Sequence, residues 1–400
     1  MSRIRIIITI IVVVLTTLLT GCTGKEPNEI AYVVALGIDS TDDDNYKITI
    51  QYANTTQISG GASESGGKAG SEIVDNVTIE APNIYAGVGL ANNIVSKSFS
   101  MSHAKLIVFS KEIAEKGVKD MIETLVRSEE IRPDVFIAVA NTTANDYLTS
   151  VNPEMEVNPA QYYQLIYQKN QLVGIPDGQL REFFTGLYTD NYDSILPVAG
   201  VIEGSGSNRQ NDDKGQSKDG QNEGSEGSSE SLDSFESKSS DDKDENEKEK
   251  DAEKNTSKYE YDIKNYVGGE TAIEKKNKAE AIGAAVFEKD KMVGELGEVE
   301  TEICKILKGD YTYSYLTYYN NDTPDIPITV KTTQQKKPKY KIDTDKKTVD
   351  IELYIESDLY SLPADYNVEN KIEDFERDVA NYTSSACTEF INNFTKKYNS

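Results

Sequence analysis

The segment IAYVVALGID, Ile30–Asp39, decides the fold class. Its apolar run is almost unbroken, whereas a strand with one wet face alternates apolar and polar side chains. It is therefore read as a strand covered on both faces. Immediately downstream, YKITIQYA (Tyr46–Ala53) does alternate, with Ile48, Ile50 and Tyr52 on one face, and the intervening TDDDN is a turn. The two form a hairpin. Lys105–Phe109 reads as a further strand. Ala114, Val118, Met121, Ile122 and Leu125 then recur at helical spacing, and VFIAVA (Val135–Ala140) returns as a strand. Strand, helix and strand in that order make a βαβ unit, which predicts parallel pairing and a right-handed crossover. Short helices are expected at Ala160–Lys169 and Gln179–Tyr188.

Past residue 262 the pattern changes. AIGAAVFEKDKMVGEL (Ala281–Leu296) reads as two short strands around a turn at Lys289-Asp290, and Val299–Leu307 as a helix with Ile303, Cys304 and Leu307 on its apolar side. Ile326, Ile328 and Val330, then Val349, Ile351, Leu353 and Ile355, alternate as half-buried strands. A long helix from about Val368 to Lys396 closes the chain, its apolar seam running through Val368, Ile372, Phe375, Val379, Tyr382, Ala386, Phe390 and Phe394. The expected cover for that seam is the sheet of Ile326–Glu356, reached by Val368–Tyr382 alone. Phe390 and Phe394 are then left partly exposed on the rim, as a surface for a partner or a missing element.

Residues 203–262 separate the two parts. Between Glu203 and Glu260 the chain carries 18 acids and 9 bases, with Leu232 and Phe235 as its large apolar side chains before Tyr259. Such a segment buries too little to offset chain entropy and is read as a disordered acidic linker. SGGASESGGKAGS (Ser59–Ser71) is read as a loop within the first domain. The expected organisation is a multi-domain α+β, or mixed α/β, chain. It comprises residues 1–21 as a signal peptide, 22–202 as an α/β domain with the βαβ unit, the linker, and 263–400 as an α+β domain of antiparallel strands with one long helix.

Composition narrows the function. The 400 residues hold 68 carboxylates against 42 basic side chains, a net charge of −26. That balance opposes both nucleic-acid binding and electrostatic adhesion to anionic lipid. Three cysteines (Cys22, Cys304 and Cys387) and one histidine, His103, supply neither a disulfide framework nor a zinc-ligand spacing. No metal and no cofactor is expected. The N-terminus provides a different membrane device. Arg3 and Arg5 precede a largely apolar stretch, Ile6–Leu19, of 14 residues. That is the length of a signal-peptide core and short of the roughly 20 residues of a span. The following Leu19-Thr20-Gly21-Cys22 resembles the lipobox of bacterial lipoproteins, which implies cleavage between Gly21 and Cys22 and a diacylglyceryl group on the Cys22 thiol. Each buried CH₂ of such a chain is worth about 0.8 kcal/mol.

Four features together resemble the Ger(x)C family, the lipoprotein C subunits of spore germinant receptors. They are the lipobox at Cys22 and the run Ile30–Asp39. The third is Ser102-His103-Ala104-Lys105, leading through Glu112–Gly117 to Arg127-Ser128-Glu129-Glu130-Ile131-Arg132. The fourth is Ala284–Leu296. The resemblance covers about 300 residues. It differs in a longer acidic linker and in stopping at Ser400, just after the long helix, where the family continues into further strands. It implies a three-part α/β protein, lipid-anchored (as by palmitate) on the outer face of the spore inner membrane. There it would work with an integral-membrane B subunit and an A subunit in nutrient sensing, without enzymatic activity.

The remaining motifs have structural readings. His103 is expected as a hydrogen-bonded residue beside a strand start, and Arg127, Glu130 and Arg132 as ion pairs fixing a helix end. Gly37 and Asp39 are expected to shape a strand end, and Cys304 and Cys387 to be small buried residues. The acids Asp42–Asp44 and Asp241–Glu249 lack EF-hand spacing and read as solvated turns. The alternatives are an extracytoplasmic solute-binding lipoprotein and a lipid-anchored enzyme. The first would show two similar α/β lobes, and the second an activated nucleophile with its base.

Overall fold

The computed structural model describes residues 3–10, 29–43, 45–53, 74–152, 156, 158–168, 174–190, 192–202, 265–271, 277–320, 323–362 and 371–398. Leu19–Cys22, Ser59–Ser71, the stretch 203–262 and Val368 lie outside these residues.

In chain order the first part contains β1 (Ile30–Ser40), β2 (Tyr46–Ala53), β3 (Val74–Ala81), α1 (Ile84–Ala91), β4 (Ser98–Ser100), β5 (Leu106–Ser110), α2 (Lys111–Lys116), α3 (Lys119–Val126), β6 (Phe136–Ala140), α4 (Ala144–Ser150), α5 (Pro159–Tyr167), α6 (Leu180–Leu187) and β7 (Ser194–Val201). The sheet order is β3-β2-β1-β5-β6-β7-β8-β9, with β4 pairing β1. Its last two strands come from later in the chain: β8 (Ala279–Glu288) and β9 (Lys291–Leu296). The β1–β2 hairpin is antiparallel, with Ile38 opposite Ile48 and Leu36 opposite Ile50. The β5–β6 pair is parallel, as the βαβ pattern requires.

The sheet is buried on both faces, which is why β1 reads as a continuous apolar run. One face collects Leu36, Ile38, Ile107, Phe109, Ile137 and Val139 under α1, α2, α3 and α6. The other collects Val34, Ala35, Leu106, Val108, Ala138 and Ala140 under α4 and α5. The second face contains polar groups, and they bond to one another. The Tyr163 hydroxyl donates to Gln51 Oε1 at 2.6 Å, Gln51 Nε2 donates to the Leu148 carbonyl at 2.9 Å, and the Tyr147 and Tyr167 hydroxyls lie 2.9 Å apart. Burial pushes all three tyrosine hydroxyls above their usual pKa, so they remain neutral donors.

Gly37 and Asp39 do shape the strand end, through α4. A Cβ on Gly37 would stand 3.0 Å from Leu148 Cδ1 and 3.1 Å from Ala144 Cβ, so glycine lets the helix close on the strand. Two residues later, the buried Asp39 accepts from the Ala144 amide at 2.6 Å and the Asn145 amide at 3.1 Å. These are N–H groups that the first turn of α4 cannot satisfy itself. Burial holds the Asp39 carboxyl above its usual range, and the two amides pull it back.

The later part adds α7 (Glu298–Lys308), β10 (Tyr313–Asn320), β11 (Thr323–Asp343), β12 (Thr348–Ser361) and α8 (Ile372–Tyr398). β10, β11 and β12 make a three-stranded antiparallel sheet. Phe375 and Val379 of α8 pack on its Tyr318, Ile328 and Val330. Asn265 caps α7 by accepting from the Val299 amide at 3.1 Å, and Gly309 ends the helix in the left-handed region at φ 76°.

The division read at residue 263 is not a boundary of the fold. β8 and β9 form the expected hairpin around Lys289-Asp290, but β8 pairs antiparallel with β7, so the hairpin completes the first sheet rather than beginning a second domain. The physical reason is burial. Ala285 and Phe287 belong to the same core as Leu196 and Val198, and a free hairpin would leave them in water.

Asp39→Ala is expected to destabilise the protein by about 2 kcal/mol, since it strands one buried and one partly buried amide. The expected signature in urea is a lower midpoint with an unchanged slope. An unchanged midpoint would remove Asp39 from the account of α4.

Candidate functional site

A cleft opens where the loop before α6, the face of α6, the start of β7 and the last turn of α7 converge. Its volume is about 360 Å³, and its wall includes Asp177, Glu182, Tyr192, Lys305, Lys308 and Asp310, with Phe183 and Leu196 behind them. The left-handed Gly309 produces it. By stopping α7 and turning the chain through Asp310 into β10, it brings the helix's terminal lysines over α6 and its preceding loop. Cations are also the charges that a helix C-terminus favours.

The electrostatics follow from burial. Lys305 is only 5% exposed, and its ammonium donates to the Ile175 carbonyl at 3.2 Å. Loss of water lowers its pKa, while Glu302, Asp310 and Asp177 pull the other way. Burial likewise raises the carboxyl pKa of Asp177, of Glu182 and of Glu302. Asp177 still accepts from the Gln179 amide at 3.3 Å, and Glu302 accepts from the Ser314 hydroxyl. Lys308 Nζ lies 5.2 Å over the Tyr192 ring and 3.4 Å from its hydroxyl. The cleft thus presents charges of both signs over an apolar floor, with Lys305 buried, Asp177 half-buried and Glu182, Lys308 and Asp310 exposed.

A second concavity of about 1430 Å³ runs between β12 and α8. Its walls are Ile351, Leu353 and Ile355 from the strand and Val379, Cys387 and Ile391 from the helix. It carries no comparable concentration of charge pairs.

The residues singled out from sequence do not come together. Gly21 and Cys22 lie outside the described residues. Residues 3–10 are helical and exposed, and among the described residues no helix is long and apolar enough to cross a membrane. His103 is exposed, and its ring meets the Tyr32 ring edge-on at 4.9 Å. Arg127 pairs with Glu123 at 3.1 Å at the end of α3, as expected, whereas Arg132 pairs with Asp134 at 3.1 Å in the loop before β6. Glu130 instead accepts from the Met101 amide at 2.6 Å. Cys387 is buried and Cys304 half-buried, and burial raises both thiols, that of Cys387 up to about 11.

The cover of Phe390 and Phe394 requires a correction. They are half-buried and pack against Ala284, Val286, Leu296, Ile195 and Cys304, so the far half of α8 rests on β7, β8, β9 and α7 of its own chain. The expectation of a rim followed from taking the sheet of Ile326–Glu356 as the cover of the whole seam. The β8–β9 hairpin, with β7 and α7, covers the far half of α8.

Asp177, Glu182, Lys305, Lys308 and Asp310 were not singled out from the sequence. One signal was available. Lys305 follows Thr301 by four residues, a basic side chain on the buried stripe of α7.

Over residues 24–201 the chain matches the family model described as Spore germination protein N-terminal domain, and over 282–400 that described as Spore germination B3/GerAC like, C-terminal. The chain belongs to this GerAC family of spore germination proteins. It is 26% identical over 176 residues to Spore germination protein KC of Bacillus subtilis (strain 168), covering 40% of this chain and 43% of that one. It is 28% identical over 145 residues to Putative spore germination protein YfkR of the same organism, covering 36% and 37%. Each alignment therefore spans less than half of the curated relative. A crystal structure of the GerBC protein superposes with a TM-score of 0.41 at 14% identity, covering 91% of this chain and 82% of that one.

The placement of the rings in this GerAC-family chain gives the first expected outcome. Replacing Phe390 and Phe394 together by Ser should cost about 3 kcal/mol, seen as a clear drop in melting temperature. An unchanged melting temperature would return the rings to the surface. The second concerns the thiol of Cys387. At pH 8 only about a thousandth of it is thiolate, against about a quarter of an ordinary cysteine. Alkylation of the Cys387 peptide by iodoacetamide should be correspondingly slow until the protein is unfolded, whereas rapid native alkylation would contradict its burial.

Proposed function

We propose that this chain is the lipid-anchored, non-catalytic subunit of a spore germinant receptor. In this reading Cys22 carries a diacylglyceryl group and becomes the first residue after cleavage at Gly21-Cys22. The folded part then stands on the outer face of the cytoplasmic membrane, which is the inner membrane of the spore. It acts beside an integral-membrane B subunit and an A subunit in nutrient-triggered germination. The observation that carries the reading is an adjacency. The family match begins at residue 24, two residues after the cysteine of Leu19-Thr20-Gly21-Cys22.

Physical chemistry supports the anchor. A chain of net charge −26 has no electrostatic attraction to anionic lipid, so a membrane address must come from apolar contact. Two acyl chains provide a stable hold where one is marginal. The relatives' names concern spore germination and supply the physiological setting. The alternative of a two-lobed solute-binding protein fits the architecture less well, because a nine-stranded mixed sheet and a three-stranded antiparallel sheet are unlike lobes. The reading assigns no catalytic step, and His103 directs its ring to Tyr32.

The test is metabolic labelling with radioactive palmitate in cells making the wild-type chain or Cys22→Ala. The expected result is label on the wild type alone. The variant should leave the membrane fraction and lose nutrient-triggered germination. Equal label on both would refute the anchor. A wild-type chain that is labelled yet purifies from detergent without any integral-membrane partner would refute the receptor reading.

A further inference from the structure

We propose that the far end of the β11–β12 hairpin, Lys336–Asp350, docks on an anionic lipid surface, with its lysines at the lipid phosphates and Ile342 and Val349 at the acyl boundary. The first argument is charge. Between those two residues the chain carries six lysines against three aspartates, a net of +3, in a protein of net charge −26. Net charge governs approach from a distance, and there the protein is repelled. In contact, salt confines each charge to about 8 Å at physiological ionic strength, so a membrane meets the hairpin's own charges. Lys339 pairs with Glu352 at 3.7 Å and Lys346 with Asp343 at 3.6 Å. Lys337, Lys341 and Lys347 make no ion pair among the described residues. The hairpin therefore orients a chain that another device brings to the membrane.

The second argument is the apolar face between those lysines. Ile342 stands opposite Val349 and Tyr340 opposite Ile351, so all four side chains share one face of the hairpin. Tyr340 is 51% exposed, Ile342 68% and Val349 53%. Every residue from Lys339 to Asp350 except Asp343 is exposed. Apolar side chains held in water mark an interaction site, and lysine stems lie readily along apolar surface while their ammoniums stay wet. Apolar and basic side chains so mixed are the composition of a segment that lies in the headgroup layer, where tyrosine is also favoured.

The third argument is that the end of the hairpin is built and presented. Gln334 Nε2 donates to the Ile306 carbonyl at 2.9 Å, and the Tyr340 hydroxyl donates to the Leu307 carbonyl, so the arm is fastened to the end of α7. Asp343 closes the turn by accepting from the Asp345 amide at 3.1 Å and the Lys346 amide at 3.0 Å. Lys347 completes it in the left-handed region at φ 55°. Pairing of β10 with β11 stops at Thr333, so the hairpin beyond is two strands wide. Such a narrow end offers a folded partner little area, whereas a bilayer supplies apolar depth and phosphate charge at one surface.

The test reads the hairpin itself, so it succeeds or fails separately from the acyl group on Cys22. The full chain with Cys22→Ser and Thr344→Cys carries an environment-sensitive nitrobenzoxadiazole dye on the new thiol, and the same chain without Thr344→Cys gives the background. It is mixed with vesicles of phosphatidylcholine and phosphatidylglycerol, two to one, or of phosphatidylcholine alone. Emission is read per chain sedimented with the vesicles. On the anionic vesicles a blue shift is expected, quenched by brominated acyl chains and reversed by molar salt. On phosphatidylcholine alone the emission should keep its solution value. Lys346→Gln with Lys347→Gln should raise the lipid concentration for half-response by roughly tenfold or more at an unchanged melting temperature. Ile342→Ser should weaken the quenching by brominated chains. Unshifted emission on the anionic vesicles would overturn the assignment. So would an equal response on phosphatidylcholine, or a full response with both lysines replaced. A response to polyglutamate as strong as that to the anionic vesicles would assign the hairpin to an acidic polypeptide and overturn the lipid surface.

Discussion

The pairing of β7 with β8 holds the molecule together. Those two strands are separated in sequence by the whole stretch from Ile202 to Lys278, yet they align antiparallel from Ser194 opposite Phe287 to Val201 opposite Ala279. Everything C-terminal to that pairing is placed by it. β9 adds to β8, α7 starts beside β8 under the cap from Asn265, and the aromatic end of α8 settles on the surface that β8 and β9 present. Without that ladder, Phe287 would leave its edge-to-face contact with Phe183 at 5.0 Å, and the two halves would share little. Backbone hydrogen bonds give the pairing its register, and the burial of Ala285 and Phe287 gives it most of its stabilisation.

Polar groups act at the joints between these layers. Asp39 on β1 closes the start of α4 from 105 positions away, Asn265 closes the start of α7, and Lys305 reaches the carbonyl of Ile175. Each of these contacts satisfies a group that would otherwise be stranded, and each joins two segments remote in sequence. The cleft is built in the same way, with one wall from α6 and its preceding loop and the other from α7. Its mixed charge arises because helix-end lysines are brought over a carboxylate-bearing loop.

How much of this could be read from residues depended on range. β1, the β1–β2 hairpin and the β5–α–β6 unit were legible because each is encoded within about ten to thirty adjacent residues by a period of two or near 3.6. The strands at Ala281–Leu296 were equally legible, but their sheet was not, because periodicity says that a face is buried without naming its cover. That gap misplaced Phe390 and Phe394, whose cover is the β8–β9 hairpin and its neighbours. Asp39 read correctly as a strand-end residue, though its partners in α4 were invisible at such a separation. The cleft was hidden most deeply, since Asp177, Glu182, Tyr192 and Lys308 come from separate segments and none carries a local motif.

The antiparallel meeting of Val201 and Ala279 also bears on how such a chain can vary. The stretch between them, however long, leaves and re-enters the sheet at neighbouring strands. Topologically it is the loop of a hairpin. Closing a loop costs only about 0.6 kcal/mol more for each doubling of its length, so residues can be gained or lost ahead of Asn265, where the contacts to α7 and β8 begin, with little effect on the ladder beneath. The size and charge of that part can change while the scaffold stays constant. For the same reason, a fluorophore or affinity tag is best spliced into it.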